Sequence, residues 1–440
     1  MHQFARRRRT IHGWLTGEGK CCGIRDGGID AAIDSRSSCR VMDQRLLIAA
    51  ICVAQTLSML GANGYTTLLP LFRSEWQLTN AQAGWIAGSQ YFGFMLAVPV
   101  LSALTDRFDP RRVVLAGSAL VVVTSYAFAY WAEGFTSALL IRGFYGAGFA
   151  ATYMPGLRAL VEAIDDPKLK ARATTWYLVS FSTGVALSIL VAGQIAPVFG
   201  WRLAFGFVAA MAALAFAMNF LFVPGRRKPP IVVPTLRDLF DYRPVLRHKP
   251  AMAYIIGQCG HTWEALALVS WMVAYLAYIA ESGSGASAWL KPTDVATLAA
   301  FAAIPASLLG GELAARIGRR RLVLIGMAIS CLGTLCLPWV GGGLGYNAVA
   351  VFLVVLMGLA YIDSPAMTAS LVANAPEGRA GAAMGLHTSL GFAGGFLGPW
   401  IVGVMLDAVG HQSTQHWALA FATVAVAGMM GWLPVLRWGR

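Results

Sequence analysis

The sequence predicts an all-α polytopic membrane protein with 12 transmembrane helices in two six-helix, pseudo-symmetric bundles. Three observations carry that prediction. About a dozen apolar stretches are each long enough to cross a bilayer, lysine and arginine fall almost entirely in alternate gaps between them, and short motifs of the first half recur in the second. Composition agrees, with 57% hydrophobic and only 12% charged residues, about half the charged share of an average soluble domain.

A span needs roughly 20 apolar residues to cross ~30 Å of hydrocarbon. In chain order the stretches that qualify are Leu46–Phe72, Ala83–Leu104, Val113–Trp131, Ala138–Leu160, Ala173–Val198 and Trp201–Val223. After a basic, Pro-containing segment come Ala251–Ile279, Val295–Ala315, Leu322–Val340, Tyr346–Leu371, Ala380–Leu406 and Trp417–Val435. The expected organisation is a tail over residues 1–45, an N-terminal bundle over 46–223, a cytoplasmic linker over 224–250 and a C-terminal bundle over 251–436.

The net charge of +13 would suggest nucleic acid in a soluble protein, but placement decides otherwise. Nearly all of the 34 lysines and arginines lie in the tails and the even-numbered gaps. The exceptions are Arg73, Arg202 and Lys291 in odd-numbered gaps, with Arg142 and Arg158 inside spans. The positive-inside rule then puts both termini in the cytoplasm, in the inner (plasma) membrane. The bilayer is the expected partner, with no nucleic acid, and a monomer is expected. The seven cysteines are scattered, giving neither a disulfide framework nor zinc spacing; no metal and no cofactor are expected. Arg6 to Arg9 are followed by no adequate apolar run before Leu46, so no cleaved signal is expected. The tail reads as disordered and basic, resting on anionic headgroups or preceding a true start at Met42.

The repeat comes next. Ser102-Ala-Leu-Thr-Asp106-Arg107-Phe-Asp109-Pro110-Arg111-Arg112 follows span two, and Gly311-Glu-Leu-Ala-Ala315-Arg316-Ile-Gly318-Arg319-Arg320-Arg321 follows span eight. Gly148 and Pro155 in span four match Gly358 and Pro365 in span ten. Arg172-Ala173 matches Arg379-Ala380, and Trp201-Arg-Leu-Ala-Phe205 matches Trp417-Ala-Leu-Ala-Phe421. Matches in one order at near-constant offset mean two homologous halves. Parallel repeats joined by a linker describe a transporter whose bundles rock about a midplane site.

These motifs resemble those of the major facilitator superfamily. The double segment resembles that family's signature between its second and third helices, Arg142-x-x-x-Gly146-x-Gly148 its fourth-helix motif, and Gly200-Trp-Arg-Leu-Ala-Phe205 a common opening of its sixth helix. The resemblance covers roughly residues 45–440 and implies a secondary active transporter driven by a proton gradient, with sodium as the other coupling ion. The sequence departs from the signature at Ser102, Asp109 and Ala315. The resemblance also implies that the fourth-helix arginine takes part in proton coupling and that spans one, four, seven and ten line the cavity.

Physically the signature reads as a latch. Asp106 sits at the cytoplasmic end of span two, where it can pair with arginines and a helix N-terminus of the other bundle. Arg107, Arg111 and Arg112 are its partners and headgroup anchors, and Arg316, Arg319 and Arg320 are their second-half counterparts. The plainer reading is that these charges only enforce topology. Asp109 is expected to cap the helix beginning at Pro110.

Ionisable residues inside the membrane are functional candidates by default. They are Arg142, Arg158, His261, Glu264, Asp363 and His387. Gly146 and Gly148 let a neighbouring helix approach Arg142; the alternative is an arginine that snorkels to the interface. Arg158 either serves the cavity or pairs with Glu162 at i+4. In span seven, His261 and Glu264 are three apart and share a face, and a carboxylate beside an imidazole can store a proton near neutrality. Trp263 offers a flat wall. The plainer reading makes Glu264 a structural carboxylate held by a neighbouring helix. Asp363 is the counterpart of Tyr153, each two residues before a proline that frees a mid-helix carbonyl. Proton coupling is therefore assigned to Glu264, His261, Arg142 and Asp363, and substrate contact to Tyr153, Arg158, Trp263 and Ser364. His387 reads as structural.

An enzyme is not expected: there is no Walker A run and no His-Glu-x-x-His, and the Gly-x-Gly-x-x-Ala from Gly146 lies mid-span. Two arginines in one bundle against two carboxylates in the other suggest a small anionic or zwitterionic solute moved by proton symport. Proton-driven drug or metabolite efflux is the alternative, lowered by the lack of a Gly-Pro pair in span five.

Overall fold

The computed structural model describes residues 44–225, 241–284, 288–408 and 413–439, without the side chains of Ser102, Ala103, Asp106 and Ser284. The expected tail up to residue 43 and the linker residues 226–240 lie outside the described residues.

Every regular element among the described residues is a helix. The first half runs α1 (Gln44–Ser58), α2 (Gly64–Thr67), α3 (Leu69–Glu75), α4 (Asn80–Arg107), α5 (Pro110–Trp131), α6 (Phe135–Glu162), α7 (Pro167–Phe199) and α8 (Trp201–Phe222). A short α9 (Arg243–Leu246) precedes the second half. That half runs α10 (Lys249–Ile279), α11 (Pro292–Ile317), α12 (Arg319–Leu344), α13 (Tyr346–Tyr361), α14 (Ser364–Ala373), α15 (Ala380–Ala408) and α16 (Thr414–Trp438). Ten segments are long and apolar enough to cross a membrane, α13 and α14 counting as one. Of the remaining two expected spans, α6 is 28 residues long but carries Arg142, Arg158 and Glu162, and the first is broken.

Two expectations of continuous spans are corrected. Span one stops at Ser58 and resumes as α2 and α3, because Gly61, Gly64 and Pro70 are poor helix interiors. Span ten breaks at Ile362–Asp363. Pro365 is the second residue of α14; having no N–H, it leaves the Tyr361 carbonyl without its helical donor. Its counterpart Pro155 stays inside an unbroken α6. There the Tyr177 hydroxyl of α7 lies 3.0 Å from the Thr152 carbonyl and 2.9 Å from that of Tyr153, covering backbone next to the proline.

Helix starts follow the sequence. Asp109 accepts from the Arg111 N–H at 3.0 Å ahead of Pro110, as expected. Asp166 accepts from Lys168 and Leu169 ahead of Pro167. Gly200, at φ 84°, links α7 to α8 in a single residue, a conformation that costs glycine nothing. Within the halves, Gly146 faces the Gln90 carbonyl of α4 with no room for a Cβ, and Gly148 faces Gly117 of α5. The close approach expected of these glycines is thus present on both sides of α6.

The two halves meet mainly along α4 and α15. Their seam runs from Asn80 and Asp407 to Met95, whose carbonyl accepts from Ser389 Oγ at 3.0 Å. A second contact joins α7 to α11 where Gln194 Nε2 donates to Asp294 Oδ1 at 2.6 Å. Both contacts reach the end of the bundle opposite Arg45 and Gly439, which mark the terminus end near the first and last described residues.

Candidate functional site

In the first half the site is built around Arg142, which is 2% exposed. Breaking span one leaves carbonyls at the C-terminal end of α1, where the helix dipole favours a cation. Arg142 uses them: Nη1 donates to the Gly61 carbonyl at 2.8 Å and Nη2 to that of Ala62 at 2.6 Å. Nη2 also donates to Gln90 Oε1 of α4. The guanidinium carbon stands 5.2 Å from the Tyr145 ring centre, and Tyr145 donates to the Ser58 carbonyl at 3.3 Å. One planar fork therefore ties α6 to the break after α1 and to α4. No carboxylate pairs with Arg142 among the described residues.

In the second half α10 presents its two ionisable groups to different neighbours. His261 Nδ1 lies 3.2 Å from Asp363 Oδ1, with side chains only 5% and 1% exposed. Asp363 sits in the α13–α14 break, and Tyr361 packs edge-on to the imidazole at 5.9 Å. Neither carboxylate oxygen of Asp363 has a hydrogen-bond partner among the described residues, so the nearby imidazole is its one compensation, a costly state for a buried carboxylate. Glu264, one turn on, points at α12. Its Oε2 accepts from Ser330 Oγ at 2.9 Å and its Oε1 from Thr334 Oγ1 at 2.8 Å, with Cys331 Sγ 3.6 Å away. α12 passes close to both acids, since Gly326 leaves just enough room for the Asp363 side chain.

The other expected residues are spread wider. The Tyr153 ring packs at a tilt on Phe181 of α7, with centroids 4.4 Å apart. Arg158 Nε donates to Glu162 at 2.9 Å and Nη1 to Thr105 at 3.4 Å, so the local pairing is made. Trp263 packs against Gly398 of α15, and its indole N–H has no partner among the described residues. Ser364 opens α14, its carbonyl accepting from Thr368 at 3.3 Å. His387 is buried.

The basic motif is placed at the ends of α4 and α11 and the starts of α5 and α12. Arg111 Nη2 donates to the Phe220 carbonyl at 2.8 Å, at the end of α8. Arg320 Nη2 donates to the Leu436 carbonyl at 2.7 Å, at the end of α16. Each caps the last helix of its own half, a repeat in structure as in sequence. Arg107, Arg112, Arg316 and Arg319 are exposed. The Asp106 side chain, on which the latch reading turns, lies outside the described residues.

Four residues escaped the sequence reading. Gln90 was one more polar residue in span two, although its place opposite Arg142 needed only one acceptor in that helix. Ser330 and Thr334 are four apart on one face of span nine, the spacing a carboxylate needs. Asp407, at the end of α15, accepts from the Asn80 N–H at 2.9 Å, Asn80 Nδ2 at 2.8 Å and the Ala81 N–H at 2.7 Å. It thereby caps α4 of the other half. Among the described residues, no three His, Cys, Asp or Glu side chains stand together as metal ligands would.

A family model described as Major Facilitator Superfamily matches residues 51–290 and 272–440. A probable sphingolipid transporter, spinster homolog 1, of Arabidopsis thaliana is 26% identical over 185 residues, covering 41% of this chain and 36% of the plant protein. An uncharacterized MFS-type transporter of Methanocaldococcus jannaschii is 22% identical over 405 residues, covering 89% of this chain and 98% of the archaeal one. The chain thus spans about a third of the first relative's length and nearly all of the second's. Among solved structures, a mutant of the nucleoside transporter NupG matches with a TM-score of 0.75 at 12% identity, covering 90% of this chain and 100% of that one.

Proposed function

This chain belongs to the Major Facilitator Superfamily and is a multi-pass membrane transporter, and we propose that it is a secondary transporter driven by a proton gradient. The observation that carries the proposal is the buried His261–Asp363 pair, 3.2 Å apart in a broken span, with Glu264 one turn away. An imidazole paired with one carboxylate, with a second carboxylate one turn away, can hold an extra proton at more than one atom, and a helix break gives such a site two discrete arrangements. Ser330 and Thr334 keep Glu264 solvated by hydroxyls while the pair changes charge. Sodium is the alternative coupling ion.

The moving bodies are residues 46–223 and 251–436. Contact at the end opposite the termini supports an inward-open stage, in the inner membrane with both termini cytoplasmic. The Asp106 latch belongs to the other stage of the cycle. Tyr153, Trp263 and Ser364 remain the substrate contacts.

Two arginines in one bundle against two carboxylates in the other suggest an anionic or zwitterionic solute, taken up by symport. Proton-driven export gains from one observation: Arg142 and Arg158 both hold protein partners, while the half-buried Tyr153, Phe181 and Phe392 edge an aromatic cluster whose Phe94 and Phe149 are buried. An amphipathic solute fits against those three rings. Proteoliposomes loaded with a pH dye separate the readings. Symport makes the lumen more acidic when an external solute enters, and antiport makes it more alkaline. The panel is labelled carboxylates, amino acids and a fluoroquinolone. Glu264→Gln should remove the proton signal and net accumulation at least tenfold while exchange of preloaded solute survives. Full accumulation by Glu264→Gln leaves Asp363 as the carrier, and loss of proton movement in no variant of the three residues would sink the proposal.

A further inference from the structure

An apolar groove of about 920 Å³ lies on the flank of the first half, formed by α4, α5 and α6. It exists because α6 meets both neighbours through small residues, leaving the larger side chains to form walls. Gly93 and Gly143 touch through backbone, and Gly117 meets Gly148 and Ala151. Leu96, Val100, Leu140 and Phe144 line it and are 50% or more exposed. From Leu104 to Trp85 it runs ~28 Å along α4, close to the thickness of the hydrocarbon core. Such a length of apolar wall faces acyl chains.

One charged side chain lines it. Arg112 stands at the end nearer the termini, is exposed, and its guanidinium makes no hydrogen bond or ion pair among the described residues. Its neighbour Arg111 is spent on the Phe220 carbonyl, so the two arginines have different work. The position is the headgroup level of the leaflet on the terminus side, where the bilayer's own anions are phosphates.

We propose that this groove is a binding site for an anionic phospholipid of that leaflet, with one acyl chain lying along α4 and α6 and the phosphate on Arg112. The charge at one end and the hydrocarbon-length apolar wall match the two parts of such a lipid. At its far end the groove is roofed by Trp85 and Phe92, which touch Trp400 and Phe396 of the other half at 5.2 Å and 5.1 Å. The lipid therefore lies beside the seam on which the halves hinge.

The test uses the full chain in nanodiscs with photoreactive phosphatidylglycerol or phosphatidylcholine carrying a diazirine on one acyl chain, the crosslinked peptides mapped by mass spectrometry. The expected result is crosslinking to the Leu140–Ala151 segment with about fivefold preference for phosphatidylglycerol, the size of one basic contact at an anionic surface. Arg112→Gln should bring phosphatidylglycerol down to the phosphatidylcholine level without moving the crosslink. Gly143→Leu should abolish crosslinking there, because a Cβ at Gly143 meets nothing closer than 3.9 Å and the side chain can fill the groove. An unchanged thermal midpoint of each variant shows that the loss is not unfolding. Equal labelling by the two lipids, or a preference that survives Arg112→Gln, overturns the proposal.

Discussion

Arg142 shows how a charge can be stabilised in a membrane without a counter-ion. Two backbone carbonyls and an amide oxygen share its donors, and the dipole of α1 supplies the sign. Guanidinium geometry is essential to this, because two carbonyls and a side chain are reached at once from one plane. Arg142→Lys keeps the charge but replaces the fork with a point donor. We expect a loss of about 2 kcal/mol, the worth of a charge-assisted hydrogen bond, read as a lower unfolding midpoint in detergent. An unchanged midpoint would mean that the carbonyl contacts contribute nothing. The residue types of this site were legible: Arg142, His261, Glu264 and Asp363 stand out because ionisable groups are rare in spans. Their partners were not, because Gln90, Ser330 and Thr334 are ordinary residues that become informative only when packing brings three helices together. Spacing put His261 and Glu264 on one face, but a three-residue step also turns a helix by about 60°, enough to send them to α14 and α12.

At the scale of elements, capping decides how the halves meet. The Asp407 carboxylate accepts two backbone N–H groups at the start of α4, a favourable place for a negative charge, and it does so across the seam. It occupies, at the opposite end, the role the sequence suggested for Asp106. Removing it should free the end that is closed here. With Asp407→Ala we expect the closed-to-open ratio at that end to fall by roughly five- to thirtyfold, as for 1–2 kcal/mol. Spin labels at Ser74 and Gln415, one in each half, would report it as a longer distance. If the distance distribution stays as in the wild type, the cap is a passive contact. Helix breaks were the least legible elements. Pro155 and Pro365 are equivalent in sequence, yet only the second interrupts its helix, since Tyr177 covers the backbone near the first. Span one hid its break among Gly61, Asn63 and Gly64, which hydropathy alone counts as tolerable.

At the scale of the whole molecule, the repeat written in the sequence has structural counterparts at both ends. Trp201 and Phe205 join Tyr65, Phe72 and Phe128 in one aromatic core, and Trp417 and Phe421 join Tyr275 in the other. Arg111 and Arg320 cap the closing helix of each half. What the fold does not set is which end faces the cytoplasm, and here charge decides. The exposed arginines Arg107, Arg112, Arg316 and Arg319 sit at the end bearing the termini, against exposed Arg202 and Lys291 at the opposite end, where Asp294, Gln194 and Asp407 join the halves. Positive charge resists translocation, so the first end should stay inside. Reporter fusions at Gly225 and Gly378 should therefore read cytoplasmic, and fusions at Gly134 and Gly345 should read external. These glycines lie between helices, so a fusion there leaves every helix interior intact. Replacing Arg316, Arg319, Arg320 and Arg321 with glutamine should weaken the signal at Gly378 more than at Gly225, because only the second half loses its local anchor. An external reading at Gly225 in the wild type would reverse the orientation and, with it, the assignment of the closed end to the outside.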